Sequence, residues 1–304
     1  MNKPDLRVKI GNLTLKNPVL VSSGTFGYGW EFSDFYDVGM LGGIVTKAIT
    51  PLPRPGNPPP RTIETPAGLL NAIGLENCGL EAFIKEKLPF LGGLDTAVIV
   101  NVAGAGEDDY DKVVSELADN KDVDAFEINI SCPNVKEGGI EFGTSPASAS
   151  RLIGKLRKKT KKTIIAKLSP NVTDPSEIAI AVEDAGSDAI SMVNTFRGMA
   201  IDAETGRPVL GNVTGGLSGP AIKPLALYQI YRVSLKVKTP IIGMGGITSA
   251  ADAIEFVYAG AAAVSVGTAN LVNPAAAKEI LDGMEEYCIR KEISNIGDII
   301  GKAH

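Results

Sequence analysis

The chain has 304 residues, 44% apolar and 21% charged. A chain of that length buries roughly three quarters of its surface on folding, so it has a core large enough to stand alone and is not disordered. Its net charge of −5 argues against a nucleic-acid-binding surface, which needs a basic field.

Residues 1–9 carry charges and lack the apolar core of a signal peptide. The uncharged stretch 256–277 is broken by Gly260, Ser265, Gly267 and Asn270, so it reads as strand, loop and helix start rather than a membrane span. A cytoplasmic location and no membrane partner are expected. Three scattered cysteines (Cys78, Cys132, Cys288) suit a reducing compartment, and with His304 as the sole histidine they exclude a zinc site and a histidine base.

Residues 7–10 and 13–15 flank Gly11-Asn12, a two-residue hairpin signal, and such a hairpin is expected to plug the N-terminal end of a barrel. Eight short apolar runs follow, at 18–22, 43–46, 96–102, 125–130, 163–168, 189–193, 240–243 and 263–266. Most are continuous rather than alternating, as in parallel strands buried on both faces. Helical patterns separate most of them. The first, 108–120, opens with acids and puts Tyr110, Val113, Val114 and Leu117 on one face. The others are 145–159, 175–185 behind Asp174 as N-cap, 220–236, 249–259 and 274–291. This alternation predicts an α/β fold of the (β/α)8 TIM-barrel type, in one domain spanning 1–304. A doubly wound sheet would show GxGxxG after its first strand, where Ser22-Ser23-Gly24-Thr25-Phe26-Gly27 stands instead. The Pro-rich stretch 51–60 is expected to be an ordered excursion over the C-terminal face.

Barrel enzymes carry their sites at the C-terminal strand ends. Those ends deliver Ser23-Gly24, Lys47, Asn101, Asn129 to Cys132, Lys167, Asn194-Thr195, Gly245-Gly246 and Gly267-Thr268. Lysines and carboxamides converge without a carboxylate pair, which excludes glycosidase chemistry and favours a planar, anionic ligand. The glycine turns after strands seven and eight have the form of a phosphate site, or are simply tight turns. Lys47 and Lys167 sit in apolar surroundings, as anion ligands or as snorkelling or ion-paired structural residues. Asn71, Asn129 and Asn194 are ligands or turn residues. Cys132, in a polar loop followed by Gly138-Gly139, is a reactive group or a small buried hydrophobe; Cys78 and Cys288 have no such setting. The basic run 155–162 reads as the solvated end of a surface helix.

At these residues the chain resembles the dihydroorotate dehydrogenase family over nearly its whole length. The motifs are Ser23-Gly24, Thr46-Lys47-Ala48, Arg61 to Thr65, Asn71-Ala72-Ile73-Gly74-Leu75, Asn129-Ile130-Ser131-Cys132-Pro133-Asn134, Lys167 to Pro170, Asn194-Thr195, Gly215 to Pro220 and Gly243 to Ile247. Cysteine in the Asn129–Asn134 loop resembles class 1, and the segments 135–139 and 71–75 resemble the NAD-linked subclass 1B catalytic subunit.

The resemblance implies FMN across the barrel mouth, held by Ser23, Lys47, Ala48, Asn101, Asn129, Lys167, Val193, Gly219, Gly245, Gly246, Gly267 and Thr268. It implies dihydroorotate, the precursor of orotate, at Lys47, Asn71, Ala72, Ile73, Gly74, Leu75, Asn129, Asn194 and Thr195, with Cys132 as base. Valine at 193 stands where the family pattern suggests isoleucine. The base would take the C5 proton and the flavin the C6 hydride, in pyrimidine biosynthesis. A thiol whose pKa is lowered by cationic neighbours can serve as that base. Electrons would leave for NAD through a partner subunit carrying FAD and [2Fe-2S], in a heterotetramer built on a homodimer of this chain. The alternatives are a fumarate-linked homodimeric class 1A enzyme, another flavin-dependent pyrimidine-reducing barrel, and a non-catalytic phosphate-binding barrel.

Overall fold

Eight parallel strands close on themselves in chain order: β1 (Val19–Val21), β2 (Gly43–Val45), β3 (Ala97–Val102), β4 (Ala125–Asn129), β5 (Thr163–Lys167), β6 (Ala189–Met192), β7 (Ile241–Met244) and β8 (Ala261–Val266), with β8 paired back to β1. The computed structural model describes residues 3–131 and 142–304. The strands are buried almost throughout, because side chains fill the barrel on one face and helices cover the other. The expected TIM barrel is the observed one.

The covering helices are α1 (Glu107–Leu117), α2 (Pro146–Arg157), α3 (Pro175–Asp184), α4 (Lys223–Ser234), α5 (Ala250–Tyr258) and α6 (Ala276–Arg290). Their starts follow from local chemistry. Ser145 caps α2 by accepting from the Ser148 amide, with Pro146 at the first helical position. Asp174 caps α3 by accepting from the Ser176 amide. Ser249 and Asp252 form a reciprocal capping box on α5. On α1 the predicted apolar face is the buried one: Tyr110, Val113, Val114 and Leu117.

One helical segment escapes the sequence pattern. Leu80–Ala82, Phe83–Lys87 and Leu88–Leu91 run on as one irregular helix between β2 and β3, with a π-type middle turn. Pro89 interrupts its periodicity, and Gly79 at its N-cap offers no side-chain oxygen. Between β1 and β2 only two short 3-10 turns occur, Trp30–Phe32 and Val38–Met40.

The two ends of the barrel differ. At the N-terminal end, Val8–Ile10 and Leu13–Leu15 form the expected hairpin, and its Ile10 carbonyl accepts from Thr163 Oγ1 at the start of β5. At the C-terminal end lies a four-stranded antiparallel sheet of Phe196–Gly198, Gly215–Ser218, Gly68–Asn71 and Thr62–Thr65. Segment 51–60 is ordered against it. Arg61 donates to the Pro55 and Asn57 carbonyls, and Arg54 and Asn77 exchange backbone bonds.

Three members of the basic run at the end of α2 are ion-paired. Lys155 pairs with Asp108 of α1 at 3.0 Å, Lys159 with Asp111 at 3.1 Å and Arg157 with Asp188 at 2.6 Å. Among the described residues no helix is long and apolar enough to cross a membrane.

Candidate active site

A cavity of about 660 Å³ opens between the C-terminal strand ends and the antiparallel sheet, a volume in the range that takes small ligands and cofactors. The barrel supplies its floor and the inserted sheet its roof, so residues far apart in sequence face one space. From the floor come Ser23, Lys47, Ala48, Asn129, Lys167, Val193, Asn194, Thr195, Gly245, Gly246, Gly267 and Thr268. The insertions supply Asn71, Ile73, Gly74, Leu75 and Gly219.

Two of the expected residues stand elsewhere. Ala72 points away from the cavity, into a small apolar cluster with Leu70 and Leu210. Asn101 is fully buried one layer below the floor, and its Nδ2 donates to Glu127 Oε2. Its Oδ1 has no hydrogen-bond partner among the described residues. Cys132, the expected base, lies outside the described residues.

The two lysines differ in setting. Lys167 ends β5, in register with Asn129 on β4 and Ser191 on β6. Its ammonium lies 3.3 Å from Glu127 Oε2, with both side chains buried. Lys47 follows β2, and its ammonium lies 3.8 Å from Glu76 Oε2 on the edge of the cavity. Glu76 is itself held by Arg61 at 2.8 Å. Lys167 is thus both ion-paired and exposed to the cavity, so the structural and ligand readings of this residue are compatible.

The asparagines form a relay. Asn194 Nδ2 donates to Ser131 Oγ, which donates to Asn129 Oδ1 at 2.9 Å. Tyr110 of α1 fixes the Asn129 backbone by donating to its carbonyl at 2.9 Å. Asn194 Oδ1 in turn accepts from the Thr195 amide at 2.8 Å. These carboxamides are oriented, not loose turn residues.

At the glycine turns, φ is +124° at Gly245 and +79° at Gly246. A Cβ on Gly246 would stand 2.8 Å from the Gly219 carbonyl oxygen and the Lys223 nitrogen. Only glycine brings the backbone this close. The amides of Gly245, Gly246, Gly267 and Thr268 donate to nothing among the described residues. Behind the turn, burial would raise the Asp252 carboxyl, but bonds from Lys223, Thr248 and Ser249 outweigh it and hold the pKa at about 2.

Sequence reasoning missed Glu127, Glu76, Asn171 and Arg197. Glu127 carried a readable signal, an acid inside the apolar run Ala125–Asn129. Asn171 lines the cavity, bonding the Thr195 carbonyl at 3.0 Å and accepting from the Arg197 amide at 2.9 Å. Cys288 is buried in the core, where burial pushes its thiol pKa up. Cys78 Sγ lies 3.4 Å from the Tyr28 hydroxyl.

Comparison with known proteins agrees with this geometry. Residues 5–288 match the family model for dihydroorotate dehydrogenase. A relative from Trichlorobacter lovleyi, named dihydroorotate dehydrogenase B (NAD(+)), catalytic subunit, is 56% identical over 299 residues, covering 98% of each chain. One of the same name from Geotalea daltonii is 54% identical over 301 residues, covering 99% of each. A crystal structure of a dihydroorotate dehydrogenase from Eimeria tenella in complex with ferulenol superposes with a TM-score of 0.82. It shares 24% identity and is matched over 99% of this chain and 89% of its own, which supports the fold.

Proposed function

The chain belongs to the dihydroorotate dehydrogenase family, and from that premise we propose that it is the catalytic subunit of an NAD-linked enzyme that oxidises dihydroorotate to orotate in pyrimidine biosynthesis. The observation that carries the reading is the convergence of two lysines, three oriented asparagines and two glycine turns on one cavity, in a chain more than half identical to the relatives of that name.

The residues present fit FMN. Four backbone amides with no partner among the described residues, at Gly245, Gly246, Gly267 and Thr268, suit a phosphate. Lys47 and Lys167 add positive charge at the mouth and floor. We assign Ser23, Ala48, Asn129, Val193 and Gly219 to the same group, with Asn101 acting from the layer beneath. Bound FMN supplies a two-electron acceptor for the C6 hydride.

The chain's own residues do the rest. Lys47 attracts the substrate carboxylate, and Asn71, Asn129, Asn194 and Thr195 orient the ring by hydrogen bonds, with Ile73, Gly74 and Leu75 closing over it. The sheet above the barrel keeps water off the reacting atoms. Cys132, next in sequence to the anchored Ser131, takes the proton from C5. Lys167 stabilises negative charge that develops near the floor.

The words "catalytic subunit" in the relatives' names support a second subunit. We assign FAD and [2Fe-2S] to that partner, in a heterotetramer built on a homodimer of this chain, in the cytoplasm. A steady-state assay tests the reading: the purified chain should form orotate from dihydroorotate with an artificial dye as acceptor and not with NAD alone. No orotate with any acceptor would refute it.

A further inference from the structure

Four neighbouring barrel strands each contribute one polar side chain to a network at and just below the cavity floor. Glu127 of β4 is at the centre, 1% exposed. Its Oε2 accepts from Asn101 of β3 and from Lys167 of β5, and its Oε1 accepts from Ser191 of β6 at 2.7 Å. Glu127 does not line the cavity, whereas Lys167 does. Glu127 therefore touches no bound group directly, and Lys167 is its partner that does.

A buried ion pair in an apolar barrel is seldom the most stable choice, since apolar residues of similar volume often serve as well or better. Lys167 also needs no carboxylate to stay within reach of the cavity, because it sits at the end of its strand. We propose that Glu127 is a positioning residue that sets the reduction potential of the flavin: its charge offsets that of Lys167 and fixes the direction of the ammonium. The inference rests on FMN occupying the cavity.

The sign follows from charge. Reduction adds negative charge to the flavin, so a positive neighbour favours the reduced form and an adjacent carboxylate weakens that effect. Glu127→Gln removes the carboxylate charge and keeps the side-chain shape. The oxidised–reduced equilibrium should move about tenfold toward reduced flavin, which is a rise of about 30 mV for a two-electron couple. Lys167→Met should move it the opposite way. The double variant Glu127→Gln/Lys167→Met should return to within about threefold of the wild type, since both charges go together.

The test is equilibrium titration of the flavin-loaded chain against dyes of known potential, read from the flavin absorbance. An upward shift in Glu127→Gln, reversed in the double variant, supports the proposal. An unchanged potential in Glu127→Gln overturns it, as does a double variant that keeps the Glu127→Gln potential. If Glu127→Gln does not fold, Lys167→Met and the double variant decide between them: a lower potential in the single than in the double supports the proposal, and equal potentials overturn it. A wild-type chain that takes up no flavin would instead sink the FMN reading, and is told apart by its missing visible absorbance.

Discussion

Asn194, just beyond β6, donates its carboxamide proton to the hydroxyl of Ser131, 63 residues earlier and beside Cys132. The loop after β4 is thereby tied to the loop after β6 through a hydroxyl that also donates to Asn129. Ser131→Ala would leave the half-buried Asn194 amide and the buried Asn129 side-chain carbonyl without this partner, at a cost of about 1–3 kcal/mol for the buried group. The variant should melt earlier and turn over more slowly than wild type. Unchanged melting and turnover would mean that the relay holds nothing.

Cys132→Ala should keep the fold and the flavin yet reduce the flavin with dihydroorotate at least about 10²-fold more slowly, the low end for a positioned base. The wild-type rate should also rise with pH as the thiol loses its proton, and that rise should vanish in the variant. Stopped-flow absorbance reads both. Near-normal reduction in Cys132→Ala would remove the residue from the chemistry.

The lysines should separate. Lys47→Ala, at the mouth, is expected to raise KM for dihydroorotate and to loosen FMN. Lys167→Ala, at the floor, is expected to slow flavin reduction and also to leave Glu127 without its cation, with a stability loss of about 3–5 kcal/mol for a broken buried pair. Thermal melts and FMN titration distinguish the two. If both variants bind FMN and turn over normally, the lysines are structural only.

Gly246→Ala should fail locally. Its φ of +79° and the 2.8 Å approach to Gly219 and Lys223 leave no room for a Cβ. The expected cost is about 1–3 kcal/mol, with FMN affinity falling further than stability because the amide cradle moves. Wild-type FMN affinity in the variant would take the turn out of the phosphate site.

Acid stability should depend on Asp252. Its folded pKa is about 2, below the 3.8 of an unperturbed aspartate. A lowered carboxylate contributes stability that is present above its unfolded pKa and lost as pH falls through the folded one. The contribution therefore disappears between about pH 4 and pH 2. Asp252→Asn should cost about 1 kcal/mol at neutral pH, through the lost capping box and Lys223 bond, and should flatten the stability profile across that acid window. A profile parallel to wild type would mean that the carboxylate does not titrate as described.

Much of this architecture is legible in the sequence because barrel strands are continuous apolar runs with helices between them, and β1 to β8 stand where those runs do. The C-terminal ends were legible for the same reason: once the strand is placed, the next residue is placed too, as with Lys167 and Asn194. The roof was less so. Gly215–Ser218 has little apolar or β-branched character to mark it as a strand, and it exists because Gly68–Asn71 and Phe196–Gly198 pair with it from either side. Glu127 stood out as an acid in an apolar run, but its network was hidden because its partners lie 26, 40 and 64 residues away, and only closure of the barrel brings them together. Ala72 shows the converse error, a motif read as a block although side chains alternate along an extended segment.

The central claim, that this cavity holds FMN and passes to it the electrons of dihydroorotate, is tested most directly by anaerobic addition of dihydroorotate to the purified wild-type chain. The expected result is a yellow protein whose flavin absorbance bleaches on mixing, with one orotate formed per flavin reduced. A flavin that stays oxidised under excess dihydroorotate, or a chain that carries no flavin after incubation with FMN, would contradict it.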